Sequence, residues 1–376
     1  MASSLIQYLQ ALVKQRGSDL HLSTSTHPMI RVNGDLVKLN VPVITGESIE
    51  AMINEVANKT QRGELAKNKQ VDFSFKVSGL GVFRANIFLQ RNGWSAVFRA
   101  LAEQAPTLEQ LGLPPVIQKG CGYQNGLILV TGPTGSGKST TLAAMINHIN
   151  ENKRGHILTL EDPIEFYHQT NRCMVNQRQL GTHFSTFASA LKASLREDPD
   201  VILVGEMRDP ETIAMAITAA ETGHLVFATL HTNSATKAVD RMVDSFPGDQ
   251  QHQIRSMLSE SLRMVIAQRL IKTADGKSRM AFHDVLVNNP AVANLIREGK
   301  THQLSSAMQT GRKNGMVVMD HAILEAAKAG RISTNEAYEN GNDKSLFTQF
   351  APREVQGNMT LVQGTQLDST KSKKAL

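Results

Sequence analysis

The sequence is poor in cysteine and has no long hydrophobic run. Its 376 residues include two cysteines, Cys121 and Cys173, which are too few for a disulfide framework or a four-cysteine zinc site. No stretch approaches the roughly 18 consecutive apolar residues of a membrane-spanning helix. The N-terminus also lacks the basic start and apolar stretch of a signal peptide. Together these absences predict a cytoplasmic protein that is not inserted into a membrane.

The chain also has few aromatic residues and only a small excess of positive charge. Aromatics make up 5% of the chain, and the net charge of +6 is modest for this length. Few aromatics are interleaved with basic residues, so the sequence does not indicate a stacking platform for nucleic acid. We therefore predict no nucleic-acid partner. The lysines of residues 371–376 are interpreted as part of a solvated terminus.

A chain of this length predicts two domains. Residues 1–101 contain a helical pattern from Leu5 to Val13 and alternating strands at 71–75, 82–89 and 94–99, as in a small α/β domain. Residues 102–120 hold three prolines and are predicted to be a linker. Residues 121–345 form a second α/β domain, and residues 346–376 read as a polar, disordered tail.

The second domain alternates apolar strands with helical patterns, which is typical of a mainly parallel sheet covered on both faces. The predicted strands are Leu127–Val130, His156–Glu161, Val201–Glu206, Leu225–His231 and Met280–Val287. The predicted helices cover residues 184–197, 210–222, 234–245, 250–271, 290–299 and 318–329. Continuous Val, Ile and Leu in these strands fits burial on both faces.

A phosphate-binding loop follows the first of these strands. It fits the pattern G-x-x-x-x-G-K-[ST] and consists of Gly132, Pro133, Thr134, Gly135, Ser136, Gly137, Lys138, Ser139 and Thr140. Glycines allow backbone N–H groups to surround a phosphate at the start of a helix. Lys138 can then reach the β- and γ-phosphates, and the Ser139 hydroxyl can bind Mg²⁺. The loop predicts binding of a nucleoside triphosphate.

Polar residues follow the other predicted parallel strands. Glu161 ends the second strand and is followed by Asp162 and Glu165, Glu206 ends the third, and His231 ends the fourth. Ligands of such sheets bind at the carboxyl ends of the strands. Glu206 stands where a Walker B acid belongs, one of the other carboxylates could activate water, and His231 could contact the γ-phosphate.

At this point the chain resembles the secretion-superfamily ATPases, and within them the PilT-like type IV pilus retraction motors. The resemblance covers about residues 1–345. It rests on the segment Ser18–Leu22, the phosphate loop, the acidic segment Leu158–Phe166, the Walker B segment Asp198–Asp209 and the histidine segment Thr222–Ala235. It implies a PAS-like N-terminal domain and a RecA-like ATPase domain, assembled as a homohexameric ring.

The resemblance also implies roles for individual residues. It implies catalytic roles for Lys138, Glu206 and His231, and Glu165 as the catalytic glutamate. Arg84 and Arg99 are expected to reach the nucleotide, often from a neighbouring subunit. Arg91 is a weaker third candidate. Glu161, Asp162 and His224 line the nucleotide site, and Ser139 and Glu206 hold Mg²⁺. The resemblance implies that the substrate is ATP. It also implies that the partner is an inner-membrane platform protein of the pilus, which brings the ring to that membrane.

Other family members and other classes stay open. The four-cysteine insert of assembly motors is absent, but Val292 and Ala293 depart from the helix motif of retraction motors, so an accessory retraction paralogue is an alternative and a paralogous ATPase a further partner. A RecA-like nucleic-acid translocase would need stimulation by nucleic acid. A small-molecule kinase would need an acceptor, and a non-catalytic scaffold would not need the intact Lys138 and Glu206.

Overall fold

A computed structural model describes residues 4–32, 34–101 and 105–351 of the chain. The chain divides into two units. The first comprises the residues up to Ala105 together with Glu165–Tyr167, and the second comprises Pro106–Ile164 and the residues from His168 onward. The domain boundaries expected from the sequence, at 101, 120 and 345, stay predictions.

The first unit is a six-stranded antiparallel sheet with three helices. Its strands, in the spatial order β3-β2-β1-β6-β5-β4, are β1 (Asp19–Ser23), β2 (Met29–Val32), β3 (Asp35–Lys38), β4 (Gln70–Val77), β5 (Gly81–Gln90) and β6 (Gly93–Leu101). Its helices are α1 (Leu5–Lys14), α2 (Gly46–Val56) and α3 (Lys59–Asn68). Leu5, Leu9 and Leu12 recur at helical spacing and are fully buried, so α1 contributes one face to the core of this unit.

The second unit contains a seven-stranded sheet in the order β13-β12-β7-β11-β10-β8-β9. The strands are β7 (Gly126–Thr131), β8 (Gly155–Glu161), β9 (Cys173–Gln179), β10 (Val201–Val204), β11 (Leu225–Leu230), β12 (Leu262–Lys272) and β13 (Arg279–Val287). All neighbouring pairs are parallel except β12 and β13, which are antiparallel. The α/β fold class with a mainly parallel sheet, predicted from the sequence, is confirmed.

Helices cover both faces of this sheet. They are α4 (Pro115–Gly120), α5 (Lys138–Asn152), α6 (Phe187–Ser194), α7 (Pro210–Glu221), α8 (Ala235–Asp244), α9 (Gly248–Ser261), α10 (Pro290–Arg297), α11 (Leu304–Thr310), α12 (Met319–Lys328) and α13 (Thr334–Asn340). Alternate side chains of β7, an interior strand of the sheet, pack into different cores. Leu127 and Leu129 pack with α7 and α8, whereas Ile128 and Val130 pack with α5.

The structure corrects the helix predicted for residues 250–271. Helix α9 ends at Ser261, and the next residues form β12 between β7 and β13. Residues 264–267 are fully buried, and such a continuous apolar run does not by itself distinguish a buried strand from a buried helix. Pairing with β7 decides the outcome.

Two predicted irregular segments also contain structure. Helix α4 lies inside the predicted linker and buries Val116 and Ile117, while residues 102–104 lie outside the described residues. The predicted tail begins inside a 3₁₀ helix, Lys344–Phe350, whose Phe347 is fully buried; residues 352–376 are not described. In the described part of the chain, no helix is long and apolar enough to cross a membrane.

Candidate functional site

The phosphate loop joins β7 to α5 and has a backbone that only glycine allows at certain positions. Gly132 has a φ of +148°, and a Cβ placed on it would lie 2.4 Å from the carbonyl oxygen of Gln268. A side chain at this position would therefore collide with the neighbouring strand β12. The loop turns sharply at the end of a buried strand and delivers the chain to the N-terminus of α5.

The start of α5 has the properties of an anion site. The first N–H groups of a helix have no partner within that helix, and its dipole favours negative charge there. The Lys138 ammonium folds onto the loop and donates to the carbonyl oxygens of Gly132 and Pro133 at 2.9 and 3.1 Å. Ser139 is exposed in the first turn of the helix. The loop therefore offers backbone donors, a cation and an accessible hydroxyl.

The pairing of the strands brings the predicted residues at the carboxyl ends of the strands to the same side of the sheet as the loop. Thr131, the last residue of β7, pairs with Leu230, so His231 emerges beside the loop. Val204 pairs with Leu160, so Gly205 follows level with Glu161 and Glu206 level with Asp162. The close approach of β8 and β10 also depends on Gly205, because a Cβ there would lie 3.0 Å from the Leu160 carbonyl oxygen.

Glu206 is held by two partners at this edge. Its Oε2 accepts a hydrogen bond from Arg208 Nη2 at 2.6 Å, and its Oε1 lies 3.1 Å from His231 Nε2. The hydrogen bond from Arg208 lowers the pKa of the Glu206 carboxyl, and the charges of Arg208, His231 and Lys138 lower it further against the opposing effect of burial. Glu206 is therefore an anion close to the phosphate-loop lysine.

The other acidic residues of this edge have different surroundings. Glu161 Oε1 accepts hydrogen bonds from the Thr159 hydroxyl at 2.6 Å and from Gln177 Nε2 at 3.1 Å. Asp162 is exposed, and its charge helps to raise the pKa of Arg208 after the larger effect of Glu206. Glu165 is exposed and belongs to the segment that groups with the first unit, so its catalytic role stays a prediction.

The structure does not bring His224 to the phosphate loop. This residue precedes β11, whose first residue, Leu225, pairs with Gly126 at the start of β7. His224 therefore lies at the opposite edge of the sheet from His231. Its Nδ1 lies 3.0 Å from the Ala219 carbonyl oxygen, which is a local contact at the end of α7. A role of His224 in nucleotide binding stays a prediction.

In the first unit, Arg84 and Arg99 form a pair of cations on one face of the sheet. They are direct cross-strand partners on β5 and β6. Arg84 donates through Nε and Nη2 to Asp72 at 2.8 Å each, and Arg99 Nε donates to Asp19 at 2.7 Å. Like charges placed directly opposite repel each other, and the two aspartates offset this repulsion.

Asp19 is the buried member of this arrangement. Burial raises its pKa, but hydrogen bonds from Ser18 and Arg99 and the charge of Arg99 outweigh that effect and lower it. Asp19 is 4% exposed, whereas the Arg99 side chain is 61% exposed. Asp19 thus holds the Nε end of the Arg99 guanidinium, while the side chain as a whole faces solvent. Arg91 is exposed in the turn after β5.

Two residues near the phosphate loop, Arg208 and Gln268, were not predicted from the sequence. Arg208 was part of the Walker B segment but received no role, although an arginine two residues after an acid is a visible signal. Gln268 was hidden by the helix predicted through residue 271. In the structure its buried side chain contacts both the phosphate loop and α5.

Comparison with known proteins gives a consistent result. Residues 2–365 match the family model described as Type II/IV secretion system protein. The twitching motility protein of Neisseria gonorrhoeae is 53% identical over 310 residues, which cover 82% of this chain and 83% of that protein. The type IV pilus retraction ATPase PilT of Pseudomonas aeruginosa is 49% identical over 335 residues, covering 89% of this chain and 97% of that protein.

A solved structure extends the similarity to the fold. The crystal structure of the pilus retraction motor PilT with bound ADP matches with a TM-score of 0.86 and 44% identity, over 91% of this chain and 98% of that one. A phosphate loop beside an acidic strand end on a mainly parallel sheet defines a P-loop nucleoside triphosphatase. The chain belongs to the Type II/IV secretion system protein family, in the group of the pilus retraction ATPases.

Proposed function

We propose that this protein is a hexameric motor that hydrolyses ATP to drive retraction of type IV pili. The observation that carries the proposal is the placement of Glu206 and His231 beside the phosphate loop, in a chain that is 49% identical to a pilus retraction ATPase over 97% of that relative's length. Retraction shortens the pilus and produces twitching motility, the activity named for the Neisseria relative.

The loop binds the phosphates of ATP. Its backbone N–H groups and Lys138 neutralise the charge of the β- and γ-phosphates, and binding requires the Lys138 ammonium to leave the two loop carbonyls that it contacts. His231 lies beside Glu206 and contacts the γ-phosphate in this proposal. Phosphoryl transfer depends mainly on such positioning and charge neutralisation.

The residues present fit Mg²⁺ as part of the substrate complex. Among the described residues, no three His, Cys, Asp or Glu side chains cluster closely enough to hold a metal by themselves. Mg²⁺ usually binds through one or two protein oxygens, water and substrate phosphates. The Ser139 hydroxyl and the Glu206 carboxylate would supply the protein oxygens, and the bound cation would neutralise phosphate charge.

The remaining residues complete the site at subunit boundaries. Glu165 deprotonates or orients the attacking water, with Glu161 and Asp162 nearby along the chain. Arg84 and Arg99 of a neighbouring subunit stabilise the charge that develops on the phosphates, and their aspartate partners set the direction of both side chains. Residues 102–120 act as the linker between the moving domains.

The ring acts on the pilus from the cytoplasm. It binds an inner-membrane platform protein and is peripheral to that membrane, with neither nucleic acid nor membrane insertion needed for its work. A paralogous retraction ATPase is a further partner.

The test measures phosphate release and assembly mass together. We expect Glu206→Ala to assemble normally and to hydrolyse ATP at about 1% of the wild-type rate or less. Glu211→Ala removes an exposed glutamate from the first turn of α7 and serves as the matched control. A wild-type monomer whose specific activity is independent of concentration would contradict the ring.

Subunit mixing tests the arginine across the boundary. Arg84→Ala subunits keep Glu206, and Glu206→Ala subunits keep Arg84, so mixed rings contain some complete sites. We expect each variant alone to be inactive and the mixture to regain activity, while Arg62→Ala, an exposed arginine on α3, stays active alone. No recovery in mixtures shown to exchange subunits would place Arg84 outside the neighbouring site. In cells, loss of the protein should leave surface pili that do not shorten.

The accessory-paralogue alternative rests on helix α10. Val292 and Ile296 are fully buried, whereas Arg297 and Glu298 are exposed, so half-buried Ala293, one of the two departures from the motif, lies near a solvent-facing surface. A principal motor restores retraction in a strain that lacks all retraction ATPases. An accessory motor does so only when a principal motor is also present.

A further inference from the structure

Gln268 is the only described side chain of β12 with hydrogen bonds to both the phosphate loop and the helix that follows it. Its carboxamide is buried, with 5% of the residue exposed. Nε2 donates to the carbonyl oxygen of Ser136 at 2.6 Å, and Oε1 accepts from the Thr141 hydroxyl at 2.7 Å. Ser136 belongs to the loop and Thr141 to the first turn of α5, so one amide joins both to the sheet.

The bond to Ser136 also orients the next peptide N–H group. The carbonyl and the N–H of one trans peptide point in opposite directions. Holding the Ser136 carbonyl toward β12 therefore turns the N–H of Gly137 away from β12. Gly137 has a φ of +87°, and a Cβ on it would lie 2.8 Å from Gln268 Nε2, so the loop backbone passes directly over the amide.

We propose that Gln268 is a positioning residue for the nucleotide, which presets the loop so that its N–H groups face the phosphates before ATP arrives. The inference rests on the proposed ATPase function. A binding site whose donors are already oriented loses less conformational freedom on binding and therefore binds more tightly. Gln268 touches the loop rather than the nucleotide and acts through Ser136 and Thr141.

No neighbouring group replaces this amide. The hydroxyl of Ser136 is buried without a hydrogen-bond partner among the described residues. Without Gln268, the Ser136 carbonyl and the Thr141 hydroxyl would be left unpaired in a buried place, which is unfavourable. The loop would relieve this by turning the 136–137 peptide, and the N–H of Gly137 would then move from its preset direction.

The experiment compares Gln268→Met, Thr141→Val and Thr141→Ser with wild type. Gln268→Met keeps the approximate shape and removes both hydrogen bonds, Thr141→Val removes one, and Thr141→Ser keeps the hydroxyl. Gln251→Met is the matched control, because Gln251 lies on α9 and donates to the carbonyl oxygen of Phe246, which precedes that helix and is not part of the phosphate loop. Each protein is titrated with a fluorescent ADP analogue, and kcat and KM for ATP hydrolysis are measured. Thermal unfolding of each protein is also followed.

We expect Gln268→Met to bind ADP about tenfold more weakly, equivalent to ~1.4 kcal/mol. Thr141→Val should lose less, and Thr141→Ser and Gln251→Met should match wild type. KM for ATP should rise more than kcat falls, because the change removes binding common to the ground and transition states. A loss of folded protein alone would instead lower the apparent kcat at unchanged KM.

Two results would overturn the inference. One is a folded Gln268→Met with wild-type affinity for ADP. The other decides the case if Gln268→Met does not fold: a folded Thr141→Val that binds ADP as tightly as Thr141→Ser. A wild-type protein that neither binds ADP nor hydrolyses ATP would instead refute the proposed function, so the two failures are distinguishable.

Discussion

Replacing Asp284 by asparagine should stabilise the second unit at neutral pH and have little effect in acid. Asp284 lies on β13 and is 6% exposed. Its Oδ1 accepts a hydrogen bond from the backbone N–H of Met319 at 2.6 Å, at the start of α12. Burial raises the pKa of this carboxyl to about 6, and nearby Asp320 adds to the rise while the Met319 and Ala235 N–H groups and Arg269 oppose it.

The size of the effect follows from the shift in pKa. A rise from the ordinary 3.8 to about 6 corresponds to about 3 kcal/mol between the two protonation states. Between these values the folded protein binds the proton more tightly than the unfolded chain. The contribution of Asp284 to stability is therefore present below pH 3.8 and is lost as the pH rises through 6. Asparagine stays neutral at every pH, and its one carbonyl oxygen can accept the Met319 N–H but not the Ala235 N–H as well, which sets about 3 kcal/mol as the upper limit of the gain.

The assay is urea unfolding of wild type and Asp284→Asn at several pH values from 4.5 to 8, followed by a signal from the second unit. We expect the variant to be more stable by up to about 3 kcal/mol at pH 7.5, with the difference shrinking toward acid pH. Asp249→Asn, at an exposed site in the first turn of α9, serves as the control. A less stable Asp284→Asn at pH 7.5, or a difference that does not change with pH, would refute the reasoning.

Three further predictions concern the loop and the thiols. Lys138→Ala should lower kcat/KM for ATP by at least about 100-fold in a phosphate-release assay, because the loop loses its cation. Gly137→Ala should weaken ADP binding, measured by titration, more than Gly181→Ala does. Both positions have positive φ, but only the first would bring a Cβ against Gln268. Cys121 and Cys173 are buried, and burial raises the pKa of the Cys121 thiol to about 12. A thiol reagent should therefore label both only after unfolding, and fast labelling of the native protein would contradict their burial.

The sequence predicted much of the second unit because its central strands are buried on both faces. The continuous apolar runs of β7, β10 and β11 mark their positions, and the polar residue after each run marks the functional edge. Parallel pairing then brings these ends together without further information. The sequence alone therefore predicts that Glu206 and His231 lie near the loop.

The parts that were missed depend on contacts between distant segments. Strand β12 is an apolar run that follows helix α9 without a turn signal between them, and its identity as a strand comes from pairing Val265 with Leu129 of β7. Strand β9, Cys173–Gln179, is largely polar because it lies at the edge of the sheet. His224 and His231 belong to one motif but lie at opposite ends of β11, and a role of His224 at the nucleotide stays a prediction.

The hydrogen bonds from Gln268 to Ser136 and Thr141 have a consequence for synthesis of the protein. Gln268 follows Ser136 by 132 residues along the chain. At about 5–20 residues per second, a ribosome needs roughly 7 to 26 s to make that stretch. During this time the nascent chain carries the whole phosphate-loop motif but not the strand that supports it. A chain that stops before β12 keeps the motif and lacks Gln268, so the nucleotide site is completed late in translation.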